Sequence, residues 1–535
     1  MISPSSPPPT LVDLLGGRAA ADPDWPYFTL YGATVTYGQV WRESARYAAG
    51  LRRAGVDRGD KVCLIYPTCA EFFYTFLGAL RLGAVPVPLY PTLGVDATAA
   101  IFRDSEARAV ATIGWFRRGV EESQAAAPGL RHVLEPSDLE VDDPVPPFPT
   151  VTPEDVAFIQ YTSGSTGHPR GVVLSHANVT ATVAFMAEAA QLRPTDVVVS
   201  WLPLYHDMGL IGCAFTPPLT GSPLHLLPPD IKNPRVWLEL VTQVRADFTV
   251  SPDFGYRNCV RNVHDTTGID LRSLKQALSG AEPVRLSTIE AFERKFGIEN
   301  VITPCYGLAE ATLAVAIWPR RTPLLLDSSG RFLSVGRPCR GVAVRIVDEH
   351  GSELRAGVEG EIAVQSPGVM QGYYNNPEAT RRVLSPDGWL RTGDLGFVDR
   401  EGHLFVSGRL KDLIVLGGEN IVPGDVEEAV DEVIGVRYSA AVGIESERTG
   451  SQRLFLVVEL RELATPPDAL SRLVREIAQR VHHARGHRPS RVLLVHPSTI
   501  PKTSSGKIQR ARLAQMIVKD ELGDRIVYVS GGHRD

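Results

Sequence analysis

At 535 residues the chain is too long for one hydrophobic core, so a large body plus at least one further domain is expected. An apolar content of 44%, a charged content of 22% and a formal net charge of -6 describe an ordinary globular protein, and no field is strong enough to recruit a nucleic acid. Six cysteines are scattered without metal-ligand spacing, which excludes a zinc module or a disulfide framework and reads as the reduced thiols of a cytoplasmic protein.

The first ten residues, with Met1-Ile-Ser-Pro-Ser-Ser-Pro-Pro-Pro9, form a leader expected to be disordered; it has neither the basic region nor the apolar stretch of a signal peptide. From Leu11 to about Pro319, helix-like and strand-like segments alternate: Ala45 to Ala54 precedes Lys61-Val-Cys-Leu-Ile65, and Glu71 to Leu82 precedes Val85-Pro-Val-Pro-Leu89. Such alternation predicts an α/β body of parallel sheets covered by helices. The most apolar run, Phe72 to Tyr90, is broken by Arg81, Pro86 and Pro88, so it reads as a buried helix followed by a strand and no transmembrane segment is expected.

Within this body, Tyr161-Thr-Ser-Gly-Ser-Thr-Gly-His-Pro-Arg-Gly171 gathers phosphate-binding chemistry into one loop. Gly164 and Gly167 allow sharp turns and close backbone approach, Thr162, Ser163, Ser165 and Thr166 offer hydroxyl donors, and Arg170 adds a fixed positive charge. A nucleotide triphosphate is the most economical ligand. The loop joins a buried strand, Val156 to Tyr161, to a second one, Gly171 to Leu174, whereas a Walker loop leads into a helix. A nucleophile elbow is ruled out because Ser163 occupies the position two before Ser165, where that motif requires glycine.

Between Ser334 and Ser407 short strands alternate with turn signals, as in Ala343-Val-Arg-Ile-Val347 and Asp348-Glu-His-Gly351, and predict a β-rich subdomain spanning about 334–407 of an N-terminal domain over 11–409. The remainder, 410–535, is expected to be a small α+β domain. One of its helices is capped at Asp425, and another carries Leu470, Leu473, Val474, Ile477 and Val481 on one face. His482, His483 and His487 lie beside Arg485 and Arg488 and read as a solvated helix end.

Further clusters follow the phosphate loop in order: Trp201-Leu-Pro-Leu-Tyr-His-Asp-Met-Gly209, Ser279-Gly-Ala-Glu-Pro283, Tyr306-Gly-Leu-Ala-Glu310, Gly388-Trp-Leu-Arg-Thr-Gly-Asp394, Gly408-Arg-Leu-Lys-Asp412 and Pro501-Lys-Thr-Ser-Ser-Gly-Lys507. Together they resemble the adenylate-forming superfamily of acyl-CoA synthetases, fatty acyl-AMP ligases and adenylation domains, over essentially the whole chain. His206-Asp-Met-Gly-Leu-Ile211, Phe254-Gly-Tyr-Arg-Asn-Cys-Val-Arg261 and Gly280-Ala-Glu-Pro-Val-Arg285 are most similar to the fatty acyl-AMP ligase branch.

The resemblance implies a cytoplasmic, ATP- and Mg²⁺-dependent ligase that activates a carboxylic acid, fatty or otherwise hydrophobic, to acyl-AMP. It then passes the acyl group to the phosphopantetheine thiol of an acyl carrier protein acting in trans, in the setting of polyketide or lipopeptide biosynthesis. Lys507 is the implied catalytic lysine. Two anions about 4 Å apart repel by roughly 4 kcal/mol at an effective dielectric near 20, about a thousandfold in rate, so a cation between them is required. Glu310 and Thr166 would hold Mg²⁺, and His206 would gate the acyl tunnel. Thr162 to Gly167 and Arg170 would hold the phosphates, Tyr306 and Gly307 with Gly280, Ala281 and Glu282 the adenine, and Asp394 and Arg409 the ribose. Lys411 is the implied hinge of a mobile C-terminal domain, whose rotation would present Gly417-Gly418 to the thiol.

Two departures stand out. Arg170 occupies a position where many relatives carry lysine; it keeps the charge and adds a bidentate fork. Only Ala311 to Leu333 separate the Tyr-Gly-Leu-Ala-Glu element from Ser334, where fatty acyl-AMP ligases tend to carry a long insertion that disfavours CoA. The acceptor is therefore open between a carrier protein and CoA. An amino-acid or aryl-acid adenylation enzyme, with Asp207 clamping an ammonium, is the third reading.

Overall fold

The computed structural model describes residues 9–141, 147–162, 169–229, 232–416, 419–431, 433–445, 452–461, 466–502 and 507–530. These fall into two compact units. The larger comprises Met1–Thr162, Pro169–Thr392 and Phe397–Val406; the smaller comprises Gly393–Gly396 and Ser407–Asp535, with Ser163–His168 outside the described residues.

The larger unit is mixed α/β, as the alternating texture predicts. An eight-stranded sheet runs in the order Ala314–Ile317, Ile302–Gly307, Gln276–Ser279, Phe248–Ser251, Val198–Ser200, Leu224–Leu226, Pro26–Leu30, Ala33–Thr36. Its interior pairs are parallel and its two edges antiparallel. A fully parallel four-stranded sheet follows the order Val85–Pro88, Lys61–Ile65, Ala107–Thr112, His132–Leu134. Parallel strands buried on both faces need continuous apolar sequence, and Val62-Cys-Leu-Ile65 is buried throughout. A five-stranded sheet links Ser334–Gly336, Leu404–Arg409, Leu390–Val398, Gly360–Gln365 and Ala343–Val347 in that order. Among the described residues no helix is long and apolar enough to cross a membrane.

Local signals set the helix ends. The helix Leu11–Ala21 is capped by Thr10, counted above with the leader, whose hydroxyl accepts from Asp13 N at 3.0 Å and whose residue is 1% exposed. The helix Ala70–Leu82 stops at Gly83 in the left-handed region, φ 69°.

In the smaller unit, an antiparallel pair (Ile414–Leu416, Glu419–Ile421) accompanies a four-stranded sheet ordered Val436–Glu445, Gln452–Leu460, Arg491–Val495, Ile526–Val529. Period-two alternation splits the long strand between two cores. Leu454, Leu456 and Val458 pack with Val426, Val430, Ile477 and Val481 of the helices Pro423–Asp431 and Pro467–Arg485. Phe455 and Val457 pack with Ile500 and with Leu513 of the helix Arg510–Val518. Asp425 does not cap the first of these helices. Pro423 takes the first helical position, where a missing N–H costs nothing, and Asp425 falls in the first turn.

Candidate active site

Strand Val156–Thr162 pairs antiparallel with Arg170–Ser175, and Thr162 sits opposite Arg170. The expected strand-loop-strand arrangement is therefore present on both flanks. Ser163, Gly164, Ser165, Thr166 and Gly167 lie outside the described residues.

Arg170 is drawn into a group with the expected metal-holding carboxylate. Its guanidinium lies 5.4 Å from the ring centroid of Tyr373, within cation–π range. The Tyr373 hydroxyl donates to Glu310 Oε1 at 2.8 Å. Burial, then the Glu310 carboxylate, push the phenol's pKa up, and Arg170 opposes this only in part, so Tyr373 remains a protonated donor. Among the described residues no cluster of three or more His, Cys, Asp or Glu side chains could hold a metal. One oriented carboxylate suits Mg²⁺, which keeps several waters and takes its other ligands from substrate phosphates.

The position of Glu310 is set by a chain of contacts that begins at a helix cap. Ser175 Oγ accepts from Asn178 N at 3.1 Å, and Asn178 Oδ1 accepts from Ser175 N at 2.9 Å, a reciprocal cap that starts helix His176–Ala189 directly after the strand Arg170–Ser175. The Asn178 amide donates onward to Pro367 O at 2.8 Å and Val369 O at 2.9 Å. Met370 N then donates to Glu310 O at 2.9 Å, and Thr312 Oγ1 donates to Gly368 O at 2.6 Å. Thr312 is buried at φ 65° and ψ −53°, a rare, strained γ-turn closed by Leu313 N donating to Ala311 O at 2.8 Å, and these contacts hold it in place. Gly307 is required here: a Cβ would lie 1.6 Å from Leu313 O.

The expected adenine residues stand at the carboxyl ends of adjacent parallel strands, where open α/β sheets bind ligands. Ser279 pairs with Pro304, so Gly280 and Tyr306 continue neighbouring strands. A Cβ on Gly280 would lie 2.6 Å from Cys305 Sγ, which fixes how closely the two segments approach. Ala281 takes φ 65°. Glu282 spends its carboxylate on the backbone, accepting from Phe254 N at 2.6 Å, and desolvation followed by the nearby Asp253 raises its pKa. Its backbone, and not its side chain, remains for a base.

His206 follows the parallel strand Val198–Ser200. Its Nδ1 lies 2.6 Å from Asp207 Oδ1, and the same oxygen accepts from Met208 N at 2.7 Å at the start of a π-helical turn, Met208–Phe215. Buried Gln160, on the strand Val156–Thr162, donates to Tyr205 O at 2.9 Å and ties this segment down.

In the smaller unit, Arg409 Nε donates to Asp394 Oδ1 at 2.6 Å, so the two expected ribose-binding groups meet. Asp394 is 3% exposed. Lys411 is exposed on the short 3₁₀ turn Leu410–Asp412. Lys507 is half-buried just before the Lys502–Ile508 bridge. Gly417 and Gly418 lie outside the described residues. His487 pairs with Glu419 at 3.0 Å. Sequence reasoning missed Tyr373, Asn178, Thr312 and Gln160; of these only the Ser175-x-x-Asn178 capping spacing was visible beforehand.

Comparison with known proteins shows the family and the fold. Residues 17–374 match the family described as AMP-binding enzyme. The chain is 34% identical, over 92% of its length and 92% of the relative's, to the long-chain-fatty-acid AMP ligase FadD26 of Mycobacterium marinum. It is 35% identical, over 91% of its length and 86% of the relative's, to the 4-hydroxyphenylalkanoate adenylyltransferase of the same organism. A solved structure from a study of fatty acyl-adenylate ligases of E. coli and L. pneumophila superposes with a TM-score of 0.87 at 28% identity, covering 97% of this chain and 99% of that one.

Proposed function

We propose that this chain, which belongs to the AMP-binding enzyme family, is a fatty acyl-AMP ligase that activates a long-chain or other hydrophobic carboxylic acid with ATP. The observation that carries this reading is the Arg170–Tyr373–Glu310 group, a phosphate-type cation and a magnesium-type carboxylate held on one phenol beside the strand pair that flanks the Gly/Ser/Thr segment. The acid class rests on the near-full-length likeness to a fatty-acid ligase.

A carboxylate oxygen attacks the α-phosphorus, and the α–β bridging oxygen leaves with pyrophosphate. A thiolate then attacks the acyl carbon and AMP departs, giving a thioester. Lys507 supplies the ammonium between the carboxylate and the α-phosphate. Arg170 holds the outgoing pyrophosphate, Tyr306 and the 280–282 backbone the adenine, and Asp394 with Arg409 the ribose. Mg²⁺ bound by Glu310, with Thr166, would neutralise phosphate charge. Rotation about Lys411 withdraws Lys507 before the thiol enters. His206 lines the way to the acyl site. Asp207 is engaged in its own turn, which supports an acid without an ammonium group.

The acceptor is a carrier-protein phosphopantetheine. The short Ala311–Leu333 segment keeps CoA as the second reading, since strand Ala314–Ile317 follows Glu310 almost at once. ATP–pyrophosphate exchange across fatty, aryl and amino acids, then loading of carrier protein and of CoA, tests both steps. Fatty-acid-dependent exchange with carrier loading is expected. Exchange driven only by amino acids contradicts the proposal.

A further inference from the structure

The segment that carries Lys507 is tied down at both ends by buried carboxylates of the smaller unit. On the near side, Ile500 N donates to Glu459 Oε1 at 3.0 Å; Glu459 is 1% exposed and also accepts from Arg437 at 2.7 Å. Lys502 and Ile508 then form an isolated antiparallel bridge, and Gln509 N donates to Pro501 O at 2.9 Å, closing the loop at its neck.

On the far side, Arg510 opens the helix Arg510–Val518 and reaches back with its guanidinium. Its Nη2 contacts both carboxylate oxygens of Glu427, at 2.8 and 2.7 Å, and its Nη1 lies 3.6 Å from Asp412 Oδ2. Glu427 is itself fixed, 3% exposed, with Oε1 accepting from Ala441 N at 2.9 Å on the edge strand of the sheet. Asp412 is the residue after Lys411. One side chain thus joins three segments distant in sequence: the turn containing Lys411, the helix Pro423–Asp431, and the chain three residues beyond Lys507.

We propose that Arg510 is a positioning residue for Lys507: gripped by Glu427 and Asp412, it fixes where the lysine-bearing loop leaves the sheet, and makes that loop and the Lys411 turn move as one piece. This rests on the assignment of Lys507 to adenylation. Surface ion pairs contribute little, but here one guanidinium engages two carboxylates at once, Nη2 on both oxygens of Glu427 and Nη1 facing Asp412, and the single ammonium of a lysine cannot reproduce both contacts in that geometry. Loosening it lets the ammonium wander, and misplacement by roughly 1 Å costs about 10²-fold in rate.

The test compares wild type, Lys507→Ala, Arg510→Lys and the double variant Glu427→Gln/Arg510→Met in the full chain. The double variant leaves no unpaired buried charge and so guards against simple unfolding. Exchange of pyrophosphate into ATP is measured with dodecanoic acid, together with the KM for ATP and the thermal midpoint. In whichever of the two Arg510 variants keeps its midpoint within about 3 °C, kcat should fall about 10²-fold with the KM for ATP unchanged. Wild-type exchange in such a variant overturns the inference. So does loss of kcat only alongside a collapsed midpoint in both, which makes Arg510 merely structural. Wild-type exchange by Lys507→Ala sinks the underlying assignment, and is distinguishable because it does not involve Arg510.

Discussion

Glu310 is expected to hold magnesium, and a carboxylate can do so only if it is aimed. The Tyr373 hydroxyl aims it, and the Arg170 guanidinium lies within cation–π range of the same ring. Removing the hydroxyl as Tyr373→Phe deletes one hydrogen bond to a charged acceptor while keeping the ring, a loss of about 2 kcal/mol. Adenylation should fall roughly 10- to 30-fold at limiting Mg²⁺ and recover largely at saturating Mg²⁺. A loss independent of Mg²⁺ would show that the phenol serves something other than Glu310. The residues of this group differ in how visible they were. Glu310 and Arg170 stand inside ordered motifs, whereas Tyr373 reaches Glu310 across 63 positions of sequence. No spacing rule encodes such a contact; it exists only because Asn178 and Thr312 fold the 366–370 loop onto Glu310.

Elements were more legible than contacts. Strands such as Lys61–Ile65 and helices such as Ala70–Leu82 declare themselves because buried parallel strands and buried helices need long apolar runs with sharp breaks. The start of Pro423–Asp431 was misread because proline at the first turn competed with the more familiar aspartate cap. One helix carries a pH signature. His176 opens helix His176–Ala189, 1% exposed, and its Nδ1 accepts from Leu11 N at 3.2 Å, so the imidazole proton sits on Nε2. Desolvation lowers its pKa from 6.5 to about 4, against the smaller opposing pull of Asp155 and Asp13. Between those values the unfolded chain binds the proton that the folded chain refuses, so stability is lost as pH falls below 6.5. Roughly 2 kcal/mol should disappear from this source by pH 5. The thermal midpoint of wild type should drop over that interval, and His176→Gln, which keeps an acceptor for Leu11 N, should show a flatter profile. Parallel profiles for the two proteins would remove His176 as the cause.

For the molecule as a whole, two units with separate cores suit the proposed reaction in two half-steps, in which different groups would serve the acid and the thiol. The change in texture near Gly408 predicts an α/β body followed by a small α+β portion, whereas the grouping of Gly393–Gly396 with the smaller unit has no local sequence signal. In the proposed reaction a carboxylate and a triphosphate meet only where cations offset their repulsion, the part assigned to Lys507, Arg170 and Mg²⁺. The central claim is that the carboxylate attacks the α-phosphorus of ATP, and it is tested most directly with fatty acid carrying ¹⁸O in its carboxylate. After turnover with ATP and a thiol acceptor, AMP is isolated and its mass measured. Transfer of one labelled oxygen into the AMP phosphate is predicted, since the attacking oxygen stays on phosphorus when the thiol takes the acyl group. Unlabelled AMP, or ADP as the nucleotide product, would contradict the account.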